Sequence, residues 1–448
     1  MKSFYRTGKI CSAYFKTTTG KARFPSLRAC EAIQKCLAQI VTPIVLLFIL
    51  GCHFNYSNAA SSIATVYYKS AAISSEAIVA VYAQDEPSSL QTDEPAATST
   101  VKDDTKIQVA LLLDTSNSMD GLINQAKSRL WNIVNTLTTL RFNGETPEIQ
   151  IALYEYGNDG LRAADDYIRL VAPLTTDLDL ISEKLFALTT NGGLEYCGAV
   201  IRKATRELKW SANDQDIHLI YIAGNEPFTQ GKISYREAIS DALEKNITVN
   251  TIHCGDRSEG VSDLWKDGAD RGKGEFFNID HNVRVHYIIT PYDVRIDECN
   301  VRLNKTYISY GALGESRKVN QTMQDKNAAS ISSANKTERI VSKSGSAYKN
   351  ASWDLVDLVT ENEDALRTIK QADLPKELQG KPEAELKEFI RQKQVERAAV
   401  QKEIESLSKQ RQAYIEAEKK KSDDETVDDL GQAINRSVMQ IAATKGYK

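Results

Sequence analysis

The clearest pattern in this sequence is an alternation of buried strands and amphipathic helices that begins at Lys106. Residues 107–113 form a near-continuous apolar run that ends at Asp114, which is typical of a strand buried on both faces. Residues 121–137 follow with their apolar side chains on one helical stripe. Because strands and helices alternate up to residue 279, the pattern predicts an α/β fold with a doubly wound, mostly parallel sheet.

The same pattern places the other elements. Strands are expected at 149–156, 167–171, 217–223, 247–253 and 274–279, and helices at 180–188, 198–208, 235–245 and 261–269, with short helices near 300–310 and 353–359. In a doubly wound sheet, ligands bind at the carboxyl ends of the strands. Asp114 lies at the carboxyl end of the first strand and is therefore the first candidate for a functional residue.

Beyond residue 290 the alternation stops and the chain becomes polar. Residues 286–382 are rich in Asn, Ser and Lys, and we expect an irregular linker with short helical pieces there. Residues 383–448 combine charged side chains with spaced apolar ones, which predicts a long helix at 383–421 and a second at 426–442. We expect this α-helical C-terminal region to form a charged hairpin or coiled coil, with apolar spacing looser than a sustained heptad repeat.

The first 52 residues have the features of an export signal. The apolar run from Leu37 to Leu50 follows scattered basic residues and is shorter than the roughly 20 residues that span a bilayer. The run ends beside Cys52 in a sequence that resembles a bacterial lipobox, so we expect a lipid anchor on this cysteine. Cleavage near Ala59 or Ala83 and an uncleaved anchor are the alternatives. Each of them places the protein outside the cytoplasm.

The charge distribution changes what partners are expected. Residues 53–104 are polar and contain Pro and acidic side chains, which predicts a disordered tether. The chain has 56 basic and 60 acidic side chains, and its first 52 residues hold eight and one of them, so the remainder carries 48 and 59. A body this acidic argues against a nucleic-acid partner, because phosphate binding requires a cationic face.

Cysteine usage gives a further limit. Four of the seven cysteines lie in the first 52 residues, which leaves Cys197, Cys254 and Cys299. Three cysteines are too few for a disulfide scaffold. A bridge between Cys197 and Cys254 is one expectation, and three free or buried thiols are the other.

The segment after the first strand carries the most specific chemistry. Asp114, Ser116 and Ser118 form an Asp-x-Ser-x-Ser motif on a tight turn between a strand and a helix. One carboxylate and two hydroxyls are hard oxygen ligands, which suit Mg²⁺ or Mn²⁺. The alternative is that the motif only caps the helix and satisfies backbone amides.

This motif and the order of elements over residues 105–285 resemble the von Willebrand factor type A (VWA) domain family, especially bacterial VWA-containing lipoproteins of the cell envelope. The resemblance implies a metal-ion-dependent adhesion site that holds an acidic group of a partner protein. Two loops depart from the family pattern. Leu194 stands where the family has a threonine ligand, so Glu195 is a candidate ligand, and Gly224 stands where it has an aspartate, so Asn225 is another.

Other side chains are expected on the same rim. Tyr154, Tyr156, Glu226 and Phe228 are candidates for partner contact, because aromatic side chains bury a large area at low entropic cost. The alternative for the two tyrosines is packing against a helix.

No enzymatic residue set is present in the sequence. No histidine pair has metalloprotease spacing, and neither a nucleophile elbow nor a phosphate-binding loop occurs. We therefore expect an extracytoplasmic protein-binding module that is not an enzyme. The alternative is a scaffold protein that self-associates through its C-terminal helices and whose VWA-like fold binds no metal.

Overall fold

A six-stranded sheet forms the centre of the computed structural model, which describes residues 105–421 and 429–448. The strand order is β3-β2-β1-β4-β5-β6. Every neighbouring pair is parallel except β2 and β3, which are antiparallel. The strands are β1 (Lys106–Asp114), β2 (Glu148–Tyr156), β3 (Ile168–Thr175), β4 (Ile217–Gly224), β5 (Ile247–Cys254) and β6 (Lys273–Ile279). The predicted mostly parallel, doubly wound sheet is confirmed.

Six helices cover the two faces of this sheet. Along β1, Leu111 and Leu113 pack into one hydrophobic core and Ala110 and Leu112 into the other, which explains the continuous apolar run. The helices are α1 (Asp120–Leu137), α2 (Leu178–Phe186), α3 (Cys197–Glu207), α4 (Tyr235–Leu243), α5 (Arg257–Ser262) and α6 (Trp265–Arg271). The single helix expected at 261–269 is two helices, because Leu264 adopts a left-handed conformation between them. Residues 106–279 are called the α/β domain below.

The rest of the described chain is helical and packs on the α/β domain. Its helices are α7 (Asp293–Asn304), α8 (Gly314–Ile331), α9 (Ser333–Ser344), α10 (Leu355–Glu361), α11 (Ala365–Thr368), α12 (Glu383–Lys419) and α13 (Leu430–Thr444). The short helical pieces expected within the linker of residues 286–382 are α7 to α11, which occupy most of it. The described residues, 105–421 and 429–448, belong to one compact unit.

Buried charges join these helices to the α/β domain. Arg339 of α9 is fully buried and pairs with Asp179 of α2 at 2.6 Å and with Asp325 of α8 at 3.2 Å. Lys343, one turn along α9, pairs with Asp325 at 2.6 Å. The guanidinium of Arg339 also lies 4.4 Å from the ring centre of Trp131 in α1. A segment whose composition indicates solvent exposure is therefore held in the interior by paired charges.

The last two long helices have different packing partners. Helix α12 packs against α7, α9 and α10, whereas α13 packs against α1 and against β4, β5 and β6. Tyr221 of β4 donates a hydrogen bond to Ser437 of α13 at 3.0 Å, and Ser437 donates to Asn250 of β5 at 2.9 Å. The expected hairpin of the two helices is thus replaced by docking of α13 on the sheet.

Two findings concern the membrane-related expectations. Within residues 105–421 and 429–448, no helix has both the length and the hydrophobicity needed to cross a membrane. The expected export signal, Cys52 and the tether fall in residues 1–104, which lie outside the described residues.

Candidate functional site

The site lies where β1, β2 and β4 end at the carboxyl edge of the sheet. Asp114 ends β1 and is paired in register with Tyr156 at the end of β2. Its carboxylate is fully buried, and Oδ1 accepts a hydrogen bond from the backbone N–H of Ser116 at 2.7 Å. The turn from Asp114 into α1 therefore folds around the carboxylate, as expected for an Asp-x-Ser-x-Ser segment.

The two serines of the motif lie beside this carboxylate. The hydroxyl oxygens of Ser116 and Ser118 are 3.3 Å apart. Ser118 also donates to the side-chain oxygen of Asn225, at 3.4 Å, in the loop after β4. The structure thus brings Asp114, Ser116, Ser118 and Asn225 together.

Glu195 completes the group from the loop before α3. Its side chain is 3% exposed. Gly157 lies against both Glu195 and Asp114: a Cβ on this glycine would lie 2.7 Å from Asp114 Oδ1 and 2.8 Å from Glu195 Cγ. Gly157 also has φ of +79°, which glycine adopts without strain. A side chain at residue 157 would therefore push the two carboxylates apart.

The electrostatics of the two carboxylates are unfavourable without a cation. Burial raises the pKa of Asp114 well above its usual range, and the neighbouring Glu195 raises it further. Burial also raises the pKa of Glu195, although hydrogen bonding with Asp114 and Ser116 opposes this. When both groups are ionised, Asp114 Oδ2 and Glu195 Oε2 are buried oxygens that accept no hydrogen bond. A divalent cation would supply the missing partner for both oxygens.

The decisive comparison is with a family of domains. Residues 108–281 match the family model of the von Willebrand factor type A domain. VWA domains generally mediate protein–protein interactions, can bind a divalent cation at a metal-ion-dependent adhesion site, and are mostly not enzymes. No curated protein matches this chain.

Three solved structures illustrate what part of the chain is similar to. BatB from Bacteroides thetaiotaomicron, a conserved hypothetical protein, has 19% identity and a TM-score of 0.30, with 39% of this chain and 90% of that chain covered. The SpRpn10 VWA domain has 17% identity and a TM-score of 0.30, with 38% and 87% covered. Proximal thread matrix protein 1 from the mussel byssus, with a zinc-occupied adhesion-site motif, has 16% identity and a TM-score of 0.29, with 39% and 42% covered.

The second carboxylate of the site comes from the loop before α3. At Gly224, where the family resemblance leads one to expect aspartate, a Cβ would lie 2.5 Å from the hydroxyl oxygen of Tyr156 and 3.2 Å from Asp114 Oδ2. The space for a side chain is thus already filled. Glu195 supplies the carboxylate beside Asp114 instead.

Three of the expected partner contacts are corrected by their burial. Tyr154 and Tyr156 are fully buried, and their hydroxyls donate to Glu207 at 3.1 Å and to the carbonyl of Ala223 at 3.0 Å. Phe228 is also fully buried, where it packs on Tyr235 and Trp265. These rings turn inward because the helices α3, α4 and α6 cover that face of the sheet. Glu226 is partly exposed at the rim.

The structure adds rim residues that were not among the predicted contacts. Leu194 is 47% exposed beside Glu195. Asn117 and Asp159 are exposed, and a Cβ on Gly192 would lie 3.4 Å from Asn117 Nδ2 and 3.6 Å from Asp159 Oδ2. Their positions in the sequence could have indicated them, because Asn117 lies inside the motif and Asp159 follows the end of β2.

The cysteines and the wider set of metal-binding residues give two further results. Cys197, Cys254 and Cys299 are buried and unbridged, so the expected bridge between the first two is absent from the described chain. Within that same part, no group of three or more His, Cys, Asp or Glu side chains is arranged to hold a metal ion. A cation at Asp114 would therefore depend on the serine hydroxyls as well as on the two carboxylates.

Proposed function

We propose that the VWA domain binds a divalent cation through Asp114, Ser116, Ser118 and Glu195 and uses it to hold an acidic group of a partner protein. The observation that supports this most is the pair of buried carboxylates with one unpartnered oxygen each. Asn225 contributes through its hydrogen bond with Ser118. Hard oxygen donors favour Mg²⁺ or Mn²⁺.

The energetic reason lies in the cost of burying charge. Two carboxylates in contact and out of water destabilise each other, and each also loses its hydration. When bound, a cation supplies the compensating charge and an electrophilic centre for a partner's oxygen. Ser118 is exposed while Asp114 is buried, so the site is open on its serine side. That side is where a partner would approach.

We further propose that this recognition takes place outside the cytoplasm, at the cell envelope. The support is the sequence of the first 52 residues, with an apolar run and a lipobox-like end at Cys52. A lipid on Cys52 would anchor the chain to a membrane. Labelling with a radioactive fatty acid, in the wild type and in Cys52→Ala, tests the anchor: label retained by the variant would contradict it.

The test of the cation site is a calorimetric titration of Mn²⁺ and Mg²⁺ into the full chain and into Asp114→Asn. We expect saturable binding in the wild type and none in the variant. Asp364→Asn is the matched control, because Asp364 is an exposed aspartate on the C-terminal helices and should leave binding unchanged. Wild-type binding that survives in Asp114→Asn, or no binding by the wild type, would contradict the proposal.

A second candidate function is self-association. It was expected through the helices of residues 383–448, but the observation that supports it lies on α7: Val294 and Val301 are 69% and 56% exposed and are seven residues apart. This spacing puts them on one face of the helix. Sedimentation velocity of the wild type and of the double variant Val294→Lys, Val301→Lys tests this candidate. A dimer lost in the variant would support it, and a monomeric wild type would exclude it.

A further inference from the structure

The rim around the Asp114 site is itself acidic, and this bears on the chemistry of the partner. We infer that the acidic group received by the cation is flanked by basic side chains on the partner. This inference rests on the proposed function, because it needs a cation at Asp114 and Glu195. It adds which kind of acidic segment the site selects.

Asp159 is an exposed carboxylate of the rim close to the motif loop. Gly192 lies against both, since a Cβ on this glycine would be 3.4 Å from Asn117 Nδ2 and 3.6 Å from Asp159 Oδ2. The backbone N–H of Asp159 also donates to the carbonyl oxygen of Gly192. Asn117 stands between the two serines of the motif, so a group seated on the serines would have Asp159 beside it.

Glu226 contributes a second carboxylate next to the motif serine Ser118. It follows Asn225, which accepts the hydrogen bond from Ser118. Gln230 links it to Glu195: the side-chain oxygen of Gln230 accepts from the backbone N–H of Glu195 at 2.8 Å, and its side-chain amide donates to Glu226 at 3.3 Å. A partner bound at Ser118 would therefore lie close to Glu226 as well as to Asp159.

Neither carboxylate takes part in an ion pair found among residues 105–421 and 429–448. Asp120, the first residue of α1, has Lys127 in electrostatic reach and is partly balanced by it. Asp159 and Glu226, called the acidic rim below, thus remain available to a cationic partner.

The charges of the cation site and of the acidic rim act on a partner at different distances. A divalent cation with Asp114 and Glu195 ionised has no net charge, so its attraction for an acidic group is short-ranged. At longer range an approaching carboxylate meets the charges of the acidic rim, because screening is effective only beyond about 8 Å at physiological salt. Basic residues next to the partner's carboxylate would cancel this repulsion and pair with the rim.

Leu194 indicates how such a segment would be seated. It is 47% exposed between Gly193, which packs against the backbone of Gly157, and the buried Glu195. An aliphatic side chain here suits the methylene stems of Arg or Lys, which pack on apolar surface while their charged ends reach carboxylates. The acidic rim and Leu194 together match a basic residue better than a second acid.

Three pentapeptides test the inference on the full chain with Mn²⁺ bound. Gly-Gly-Glu-Gly-Gly carries the acid alone, Arg-Gly-Glu-Gly-Arg carries the acid with basic flanks, and Arg-Gly-Gln-Gly-Arg carries the flanks alone. Calorimetry is expected to show at least about tenfold tighter binding of the second peptide than of the other two. This advantage should shrink in 0.5 M salt, a concentration chosen to shorten the screening length to about 4 Å.

Two variants identify the source of any advantage. Asp159→Asn and Glu226→Gln should each reduce it about threefold or more, while Mn²⁺ binding by Asp159→Asn stays close to wild type and Asp364→Asn leaves everything unchanged. Equal affinity for the first two peptides, or an advantage that both rim variants retain, would overturn the inference while the cation site stands. Absence of Mn²⁺ binding would overturn the proposed function and the inference with it.

Discussion

The hydroxyl of Tyr156 fills the space that a side chain on Gly224 would need. A Cβ there would lie 2.5 Å from the Tyr156 oxygen, which also donates to the carbonyl of Ala223 at 3.0 Å. Residue 224, the last of β4, therefore has no room for a side chain while Tyr156 is present. The second carboxylate beside Asp114 is instead that of Glu195.

Introducing a side chain at Gly224 is therefore expected to destabilise the fold. We expect Gly224→Ala to lower the free energy of unfolding by about 1–3 kcal/mol, because the new methyl group overlaps the Tyr156 hydroxyl. Tyr156→Phe alone should cost about 1 kcal/mol through its lost hydrogen bond. Urea unfolding of the two single variants and the double variant measures the coupling. Additive losses in the double variant would argue against a direct clash.

Glu195 is expected to destabilise the cation-free protein and to strengthen its binding of a cation. Glu195→Gln removes one of two buried charges, so in EDTA the variant should unfold at a higher temperature than the wild type. The same change should weaken Mn²⁺ binding by about tenfold or more, because glutamine offers a neutral oxygen. Differential scanning calorimetry with and without Mn²⁺ measures both effects. A variant that is less stable in EDTA and equally good at binding Mn²⁺ would contradict this role.

Glu338 makes stability depend on pH. This residue of α9 is buried where α9 packs against α1, α7 and α12. Burial raises its pKa to about 7, although Arg411 and Arg129 oppose this. Those arginines pair instead with Asp293 and Asp429, which raise the pKa of Glu338 further. The folded protein thus binds this proton more tightly than the unfolded chain, whose glutamate has a pKa of 4.5.

Because the pKa of Glu338 is higher in the folded protein than in the unfolded chain, Glu338 stabilises the fold most at low pH. The contribution of Glu338 is fully present below pH 4.5 and is lost as pH rises toward about 7. The loss amounts to at most about 3 kcal/mol, at about 1.4 kcal/mol per pKa unit. Glu338→Gln should remove this slope and be more stable than wild type at pH 8, whereas the exposed Glu377→Gln should leave the slope intact. Parallel slopes in wild type and Glu338→Gln would rule out this assignment.

Arg339 is expected to hold helices α8 and α9 on the α/β domain. Arg339→Met leaves Asp179 buried without its ion pair, and loss of one partner of a buried pair costs about 3–5 kcal/mol. The exposed Arg367, which pairs with Asp364, is the control, and Arg367→Ala should cost less than about 1 kcal/mol. Hydrogen exchange of α8 and α9 should rise in the first variant only. Unchanged protection there would show that apolar packing alone holds the helices.

The sheet and its first loop were predictable because their signals are local. A strand covered on both faces needs apolar side chains at every position, and β1 shows them without interruption up to Asp114. The motif that follows puts three oxygen ligands within five residues of one another. No distant residue is needed to recognise either feature.

The rest was not predictable because it depends on residues far apart in sequence. Arg339 and Lys343 suggest a solvated helix until Asp179 and Asp325 are brought against them. The register of α13 on the sheet is likewise set by Ser437, which bonds to Tyr221 and Asn250. The composition of a segment shows which charged groups would be costly to bury in free energy. Only the fold supplies the oppositely charged partners that offset this cost.

The site, too, has features that the local sequence sets and features that only tertiary contacts set. The sequence by itself determined the sheet, its carboxyl edge and the Asp114 loop, since backbone periodicity and a contiguous motif specify them. Only the tertiary structure decided that Glu195 meets Asp114 across Gly157, that Tyr156 occupies the space beside Gly224, and that aromatic rings expected at the rim are buried. Side-chain direction at the end of a strand depends on which helix covers that face, and covering helices are chosen by packing across the whole domain.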